Sequence, residues 1–213
     1  MRTWLLLCLA LLLLCLALLF PAQYNSKTAA QANENTSTAQ TPTYTSDGRL
    51  LFPANYREWV YLTSGVDMSY SPNGMGMDHS MFDNVFVSPA AYKSFLQTGT
   101  WPDKTMLVLE ARMAGTKASI NKSGHYQTSN IMGREVHVKD ESRFPGKWAF
   151  FGFDSDGPSK QVPKEAACYS CHEQHAAVDT TFVQFYPTLI ELAQKKGTLS
   201  ANYLKDEAAN AKK

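Results

Sequence analysis

Short segments in the middle of the chain alternate apolar with polar residues, a pattern that favours β-strands. In the segment 133–139, Val136 and Val138 share one face. Glu135 and His137 share the opposite face. Segments rich in branched and aromatic residues predict four further strands, at 58–63, 84–87, 106–113 and 147–153. The sequence therefore predicts a sheet of five strands.

One helix is predicted between the second and third of these strands. Ser88 is its candidate cap, Pro89 suits the first turn, and Gly99 is placed to end it. After the last strand the pattern becomes helical, with helices predicted at 166–175, from Asp179 to Tyr186, and at 188–196, and a frayed polar tail at 205–213. Strands first and helices last indicate an α+β fold, a mainly antiparallel β-sheet with packed helices.

The N-terminal segment 1–22 has the features of an export signal. Arg2 precedes an uninterrupted apolar run at 4–20. This run is long for a signal peptide and just reaches the spanning length of about 17–25 residues, so cleavage and retention as a membrane anchor both stay open. Residues 23–46, rich in Ala, Gln, Thr, Ser and Asn, predict a disordered linker, and 47–213 predict a single domain.

Charge and cysteine content narrow the function classes. Basic and acidic side chains are balanced, 20 Lys and Arg against 19 Asp and Glu, whereas nucleic-acid binding needs a basic surface. We therefore expect no nucleic acid as a partner. Two of the four cysteines, Cys8 and Cys15, lie in the N-terminal apolar run. The predicted domain thus holds two thiols, Cys168 and Cys171.

The segment 168–172 reads Cys-Tyr-Ser-Cys-His, the attachment signature of a c-type haem. On one helical turn the two thiols lie on the same side, so both can add to the vinyl groups of one porphyrin. We therefore predict one covalently attached haem c, held by Cys168 and Cys171, with His172 as the proximal iron ligand. The second ring nitrogen of His172 is expected to donate to a backbone carbonyl or a carboxylate.

Two other interpretations of a Cys-x-x-Cys pair find less support. A zinc site needs a second Cys or His pair at ligand spacing, and a redox dithiol needs a surrounding βαβ pattern. Neither is evident in the sequence. Haem attachment to such a motif in bacteria takes place outside the cytoplasmic membrane, which agrees with the export signal. We expect a periplasmic protein, free or tethered to the inner membrane by its N-terminal segment.

Motifs between residues 50 and 192 occur in a characteristic order. They are 52–59 (FPANYREW), Trp101-Pro102-Asp103, Val138-Lys139-Asp140, 148–150, the haem motif and 182–187. In this order they resemble the cytochrome P-460 family. The resemblance implies a mainly β monohaem domain, usually a homodimer, with a five-coordinate iron and an open distal side. The two best-known branches of the family are the hydroxylamine-oxidising cytochromes P-460 and the nitric-oxide-binding cytochromes c′-beta.

The resemblance also suggests which residues face the distal side. In the hydroxylamine-oxidising branch a lysine after the Pro-Asp turn is joined to the porphyrin edge, and Leu109 aligns with it here. Lys104 lies in the turn itself and takes that place only after a register slip. An apolar Leu109 suits a small neutral diatomic gas. Glu135 occupies a position where that branch is expected to keep a carboxylate for proton transfer.

The residues and the resemblance together predict a cytochrome that binds a small nitrogen oxide, with nitric oxide as the first candidate. Two alternatives stay open: hydroxylamine oxidation with Glu135 as proton acceptor, and electron transfer to a redox partner protein through a six-coordinate iron. Whether the protein is an enzyme is therefore left open. We further expect a homodimer.

Other side chains with candidate chemistry have simpler interpretations. Asp83, which precedes the strand predicted at 84–87, is expected in a surface turn, with an approach to the haem as the alternative. His175 is expected near the surface. The alternating Met75, Met77, His79 and Met81 are typical of loop packing, although copper(I) binding or iron ligation is the alternative. His125 and His137 are expected to be structural or exposed. Met106, Met113 and Met132 are expected to pack in the core, with axial ligation of the iron as the alternative.

Overall fold

The structure, a computed structural model, describes residues 41–70 and 79–212. The predicted export segment, most of the predicted linker, and Met75 and Met77 lie outside this part of the chain. Within it, none of the helices combines the length and the apolar character that crossing a membrane requires. The signal, anchor and domain boundaries stay predictions.

In the described part of the chain, five antiparallel strands form one sheet in sequence order. Leu109, for example, pairs with Val85 on one side and with Glu135 on the other. The strands are β1 (Val60–Val66), β2 (Met81–Val87), β3 (Met106–Gly115), β4 (Tyr126–Lys139) and β5 (Trp148–Phe153). With helices packed against it, this sheet confirms the predicted α+β class.

Two strands differ in extent from the prediction. β1 begins at Val60 rather than at residue 58, because Tyr56–Glu58 forms a short 3-10 turn. β4 begins at Tyr126, well before residue 133. Irregular pairing around Arg112 shifts the register between β3 and β4. Such irregularities interrupt the two-residue alternation, which explains why the sequence pattern reveals only the second half of β4.

Four α-helices accompany the sheet in the described ranges. They are α1 (Pro89–Thr98), α2 (Ala167–His175), α3 (Ile190–Lys196) and α4 (Ala201–Asn210). α1 follows the prediction, because Gly99 ends it at a φ of 77°, with its N–H bonded to the Phe95 carbonyl at 2.8 Å. Ser88 precedes α1, but its side chain makes no capping hydrogen bond.

The prediction from the sequence was wrong for two segments near the C-terminus. Asp179 has a φ of 53°, a left-handed conformation that does not start a helix. In place of the helix predicted from Asp179 to Tyr186, the structure has the 3-10 turn Val183–Phe185. The predicted frayed tail instead begins inside α4. The Ser200 hydroxyl caps this helix by accepting a hydrogen bond from the Tyr203 N–H at 3.1 Å.

Alternation along the strands separates two apolar cores, one on each face of the sheet. On the first face, Val108 and Val136 belong to a core with Leu50. On the second face, Leu107 belongs to a core that includes Phe95 of α1. Along one strand, residues at odd and at even positions therefore pack on opposite faces of the sheet and in different cores.

The described chain begins before the predicted domain boundary at residue 47. Tyr44 forms an isolated bridge with Leu50, and its ring centroid lies 6.4 Å from those of Phe144 and Phe151. Tyr44, which the sequence analysis placed in the linker, thus packs on the first face of the sheet.

A buried carboxylate ties the first face to the 3-10 turn. Glu110, on β3, is 2 % exposed and accepts hydrogen bonds from Tyr56 and Arg57 and, at 2.5 Å, from Arg112 Nε. Burial opposes ionisation of Glu110, but the bonds from Arg112, Tyr56 and Arg57 outweigh it and hold the pKa of Glu110 below its ordinary value. Burial, with the Glu110 carboxylate, raises the pKa of Tyr56 to about 12.

Replacing Glu110 by Gln is expected to lower the free energy of unfolding by about 3 kcal/mol, because the arginines lose a buried partner. Since the folded-state pKa of Glu110 is lowered, its stabilisation is complete above its unfolded-state pKa of about 4.3 and is lost as pH falls through the folded-state value. Urea unfolding at neutral and acid pH measures both effects. The matched control is Glu58→Gln, an exposed acid on the same turn, which should change little. Equal losses in the two variants would contradict the prediction.

Candidate functional site

A cavity of about 560 Å³ lies on the second face of the sheet, bordered by all five strands and by α2. The sheet lines it largely with apolar side chains, among them Val85, Leu107, Leu109 and Ala111. Size and apolar walls of this kind are typical of cofactor and ligand sites. The cavity is therefore the candidate functional site.

Helix α2 brings the three residues of the Cys-x-x-Cys-His motif to this cavity. Cys168, Cys171 and His172 are spaced by three and four residues, so they share one helix face and all line the cavity. Both cysteines are free thiols. Burial, followed by the neighbouring Cys168, raises the pKa of the Cys171 thiol. The motif thus presents two thiols and one imidazole to the same space.

Tyr169, the second residue of the motif, fastens α2 to the edge of the sheet. Its hydroxyl donates to the Val162 carbonyl at 3.0 Å and accepts from the Phe150 N–H at 3.3 Å. Its ring meets that of Phe150 edge to face, with centroids 4.9 Å apart. This anchor was not evident from the sequence, because the motif constrains only the cysteines and the histidine.

One ring nitrogen of His172 forms a hydrogen bond, and the other is available to bind a metal. Nδ1 lies 2.7 Å from the Thr180 carbonyl oxygen, and because a carbonyl only accepts, Nδ1 carries the proton and Nε2 the lone pair. Of the two predicted kinds of acceptor, a backbone carbonyl or a carboxylate, the structure shows the backbone carbonyl. Burial lowers the pKa of His172, against a smaller raising effect of the bond to Thr180. The imidazole is therefore neutral at physiological pH, as metal ligation requires.

The Thr180 carbonyl belongs to a tight turn, Val178–Thr181, that packs beside α2. Val178 and Thr181 pair through backbone hydrogen bonds of 2.9 and 3.3 Å. The Thr181 hydroxyl accepts a hydrogen bond of 2.7 Å from Trp101 Nε1. We call this segment the proximal turn. Its tertiary contacts, not a local sequence signal, place the acceptor of His172.

Leu109 and Glu135 both line the cavity, as cross-strand neighbours on β3 and β4. Asp83 also lines it, from the middle of β2, so the expectation of a surface turn was wrong. Burial raises the pKa of Glu135. Burial, and then the charge of Glu135, raises the pKa of Asp83. An alternation signal existed for Asp83, since Val85 two residues on also lines the cavity.

No lysine lines the cavity among the described residues. The ammonium group of Lys104 binds the Asp140 carboxylate and the Ser142 hydroxyl, the latter at 2.9 Å. The Lys104 ammonium is therefore bound by residues that follow β4 and that do not line the cavity. The described part of the chain offers no lysine for a porphyrin cross-link at this site.

The other histidines and methionines lie at the cavity, in the core or at the surface. Met81 lines the cavity, as does Met68, which the sequence analysis did not single out. His175 is exposed and paired with Asp206 at 2.5 Å, as expected for a surface residue. His125 is exposed, and Met106, Met113 and Met132 do not line the cavity. Met106 packs in the core on the first face, as expected, whereas Met132 is 44 % exposed, so the expectation of core packing was wrong for Met132.

His137 is buried and also lines the cavity. Of the two expectations for this residue, structural or exposed, the structure excludes the exposed one. Its ring stacks on Phe150 with centroids 4.0 Å apart and an interplanar angle of 13°. Its Nε2 lies 3.3 Å from the Thr180 hydroxyl. Burial, and then the nearby His172, keeps the pKa of His137 well below the ordinary value, so the ring is neutral.

The residues around the cavity fit a haem. Two free thiols and an imidazole with an uncommitted Nε2 border one apolar space, and the His172 ring packs against Phe150 and Phe182 at centroid distances of 4.7 and 4.2 Å. Within 41–70 and 79–212, no group of three or more His, Cys, Asp or Glu side chains is arranged to hold a metal ion. A zinc centre built on Cys168 and Cys171 thus lacks further ligands in these ranges.

Comparison with known proteins agrees with this donor set. A family model described as Cytochrome P460 matches residues 53–183, which is more than half of the chain and includes the sheet, the motif and the proximal turn. No curated protein matches the chain. The extent of the family match, together with a cavity whose donors suit a haem, shows that the chain belongs to the cytochrome P460 family, a family of haem proteins.

Proposed function

We propose that the chain is an exported c-type monohaem cytochrome whose iron binds nitric oxide. The observation that carries this proposal is the cavity itself, where one uncommitted imidazole nitrogen and two thiols border apolar walls. When bound, the haem iron supplies a coordination position for a diatomic gas. The family match supports the haem, and the proposed location is the periplasm, with or without an N-terminal tether to the inner membrane.

Cys168 and Cys171 are proposed to hold the porphyrin covalently. Each S–H group adds across one vinyl double bond, so the thiol proton and the sulfur both end on the porphyrin side chain and no oxidant is required. His172 is proposed as the proximal ligand through Nε2, because its Nδ1–H is bonded to Thr180. The Cys-x-x-Cys-His spacing and the shared helix face support this assignment.

Nitric oxide is favoured by the apolar side chains of the sheet. Val85, Leu109 and Ala111 lie on adjacent strands and line the cavity together. A small neutral gas enters such surroundings without losing strong hydration, whereas an anion pays a large desolvation cost. The absence of a cavity lysine among the described residues also separates this site from one built around a lysine cross-link.

Hydroxylamine oxidation is the second candidate, and Asp83 and Glu135 favour it. Oxidation of hydroxylamine releases protons as well as electrons, so the site needs proton acceptors within reach of the substrate. Two carboxyl groups with raised pKa line the same cavity from β2 and β4. Electron transfer is the third candidate, because the thioethers of Met68 and Met81 also border the cavity and methionine is a common sixth ligand.

A homodimer and a redox partner protein remain proposals. The family resemblance implies the homodimer, and apolar side chains exposed along the β3–β4 hairpin support it. Ile120 at the hairpin end is 90 % exposed, and Tyr126, Ile131 and Met132 are exposed on β4. Exposed apolar patches of this kind often mark protein interfaces.

Mass spectrometry of the exported protein is expected to show one haem bound covalently to the peptide with Cys168 and Cys171. The double variant Cys168→Ser, Cys171→Ser should lose this mass, because no other thiol of the predicted domain can form the bonds. Ser170→Ala, a change at the exposed residue between the cysteines, is the control and should keep it. An unmodified wild-type peptide would overturn c-type attachment.

The ferrous protein is expected to have a high-spin, five-coordinate absorption spectrum that changes when nitric oxide is added. Met68→Leu and Met81→Leu should leave the spectrum without nitric oxide unchanged, because neither thioether binds iron under this proposal. A low-spin ferrous spectrum without response to nitric oxide, converted to high-spin by one of these variants, would instead establish electron transfer by a methionine-ligated iron.

If hydroxylamine is a substrate, Glu135→Gln and Asp83→Asn should each lower turnover with an artificial electron acceptor by about 100-fold. A carboxylate accepts protons only when ionised, and both pKa values are raised, so turnover should rise with pH through a range above the ordinary carboxyl pKa of about 4. The exposed Glu173 gives the control variant, Glu173→Gln. Nitric oxide binding without any hydroxylamine turnover would exclude this second candidate.

A further inference from the structure

The proximal turn holds a backbone conformation that needs support from its surroundings. Asp179 has a φ of 53°, in the left-handed region that is unfavourable for a residue with a Cβ. Directly after it, Thr180 presents the carbonyl that accepts from His172 Nδ1. A change in the turn would therefore move the acceptor of the proximal imidazole.

Side chains of strand β4 reach this turn from the second face of the sheet. Lys139, only 7 % exposed, places Nζ 3.4 Å from the Asp179 carboxylate and 2.7 Å from the Trp101 carbonyl oxygen. His137, two residues earlier on the same face, approaches the Thr180 hydroxyl with Nε2 at 3.3 Å. One strand thus contacts two successive residues of the turn.

The ring of His137 has little freedom to move. Phe150 stacks on it, Trp148 packs at a centroid distance of 4.5 Å, and the His172 ring meets it edge to face at 5.2 Å. Thr180 therefore binds two imidazoles at once, His172 through its carbonyl and His137 through its hydroxyl. A hydroxyl fixed in this way restricts the rotation of the Thr180 residue.

We propose that His137 is a positioning residue for the proximal ligand: by holding the Thr180 hydroxyl, it directs the Thr180 carbonyl onto Nδ1–H of His172. A firm hydrogen bond at Nδ1 increases the electron density at Nε2 and so strengthens the bond to iron. The iron–histidine bond in turn influences the reduction potential. This inference rests on the proposed role of His172 as the haem ligand.

Two variants remove the contact from its two ends in the holoprotein. His137→Phe keeps an aromatic ring for the stack on Phe150 but lacks Nε2. Thr180→Val keeps the shape of the side chain but lacks the hydroxyl. Thr180→Ser restores the hydroxyl and serves as the rescue variant. His125→Phe makes the same substitution at an exposed histidine and is the matched control.

The readouts are the iron–histidine stretching frequency of the ferrous protein, from resonance Raman spectra, and the midpoint reduction potential. His137→Phe and Thr180→Val should both shift the stretch to lower frequency and raise the potential, because a weakened bond at Nδ1 makes Nε2 a poorer donor. Thr180→Ser and His125→Phe should match the wild type. Thermal unfolding, recorded on the same samples, separates these shifts from a loss of stability.

Wild-type frequency and potential in both variants would overturn the proposal, even with lowered thermal stability, since His137 would then have only a packing role. Thr180→Val alone decides the question if His137→Phe does not fold, because it leaves the packing of His137 against Phe150 and Trp148 in place. A five-coordinate, high-spin ferrous wild-type protein without an iron–histidine stretch would overturn the ligand role of His172 itself, and with it the proposed function.

Discussion

The hydrogen bond from His172 to the Thr180 carbonyl is the interaction on which the use of the cavity depends. It assigns the ring proton to Nδ1 and leaves Nε2 as the nitrogen available to a metal. The same hydrogen bond joins helix α2 to the proximal turn, and each of these segments is held in place by its own contacts. Helix α2 is fastened to β5 by Tyr169, and the proximal turn is held by Lys139 and Trp101. The orientation of the His172 ring thus depends on strands β4 and β5 and on Trp101.

The alternation of side chains along each strand decides which of them line the cavity together with His172. Glu135 and His137 face the cavity, whereas Val136 between them belongs to the core on the opposite face. A slip of one residue would exchange the two sets and place a carboxylate in an apolar core. Glu110, which does lie on the first face, is tolerated there because arginines and a tyrosine bind its carboxylate.

The cavity therefore combines apolar walls with two carboxyl groups of raised pKa. Leu109 and Val85 favour a neutral ligand, whereas Asp83 and Glu135 provide groups that exchange protons. Burial is the common cause, because the same apolar surroundings that exclude ions also disfavour the charged form of an acid. The same physical environment thus suits either of the proposed functions, binding of a neutral ligand or proton transfer.

The sequence by itself determined the features that depend on local spacing. The shared face of Cys168, Cys171 and His172 follows from one helical turn, and the common face of Glu135 and His137 follows from strand alternation. The α+β class followed from the order of these patterns. Only the tertiary structure brought Met68 to the cavity and the Thr180 carbonyl to His172, and it replaced the helix expected at Asp179 by a left-handed turn. These positions depend on contacts between residues far apart in the chain, such as β4 with the proximal turn, and no local pattern of residues encodes such contacts.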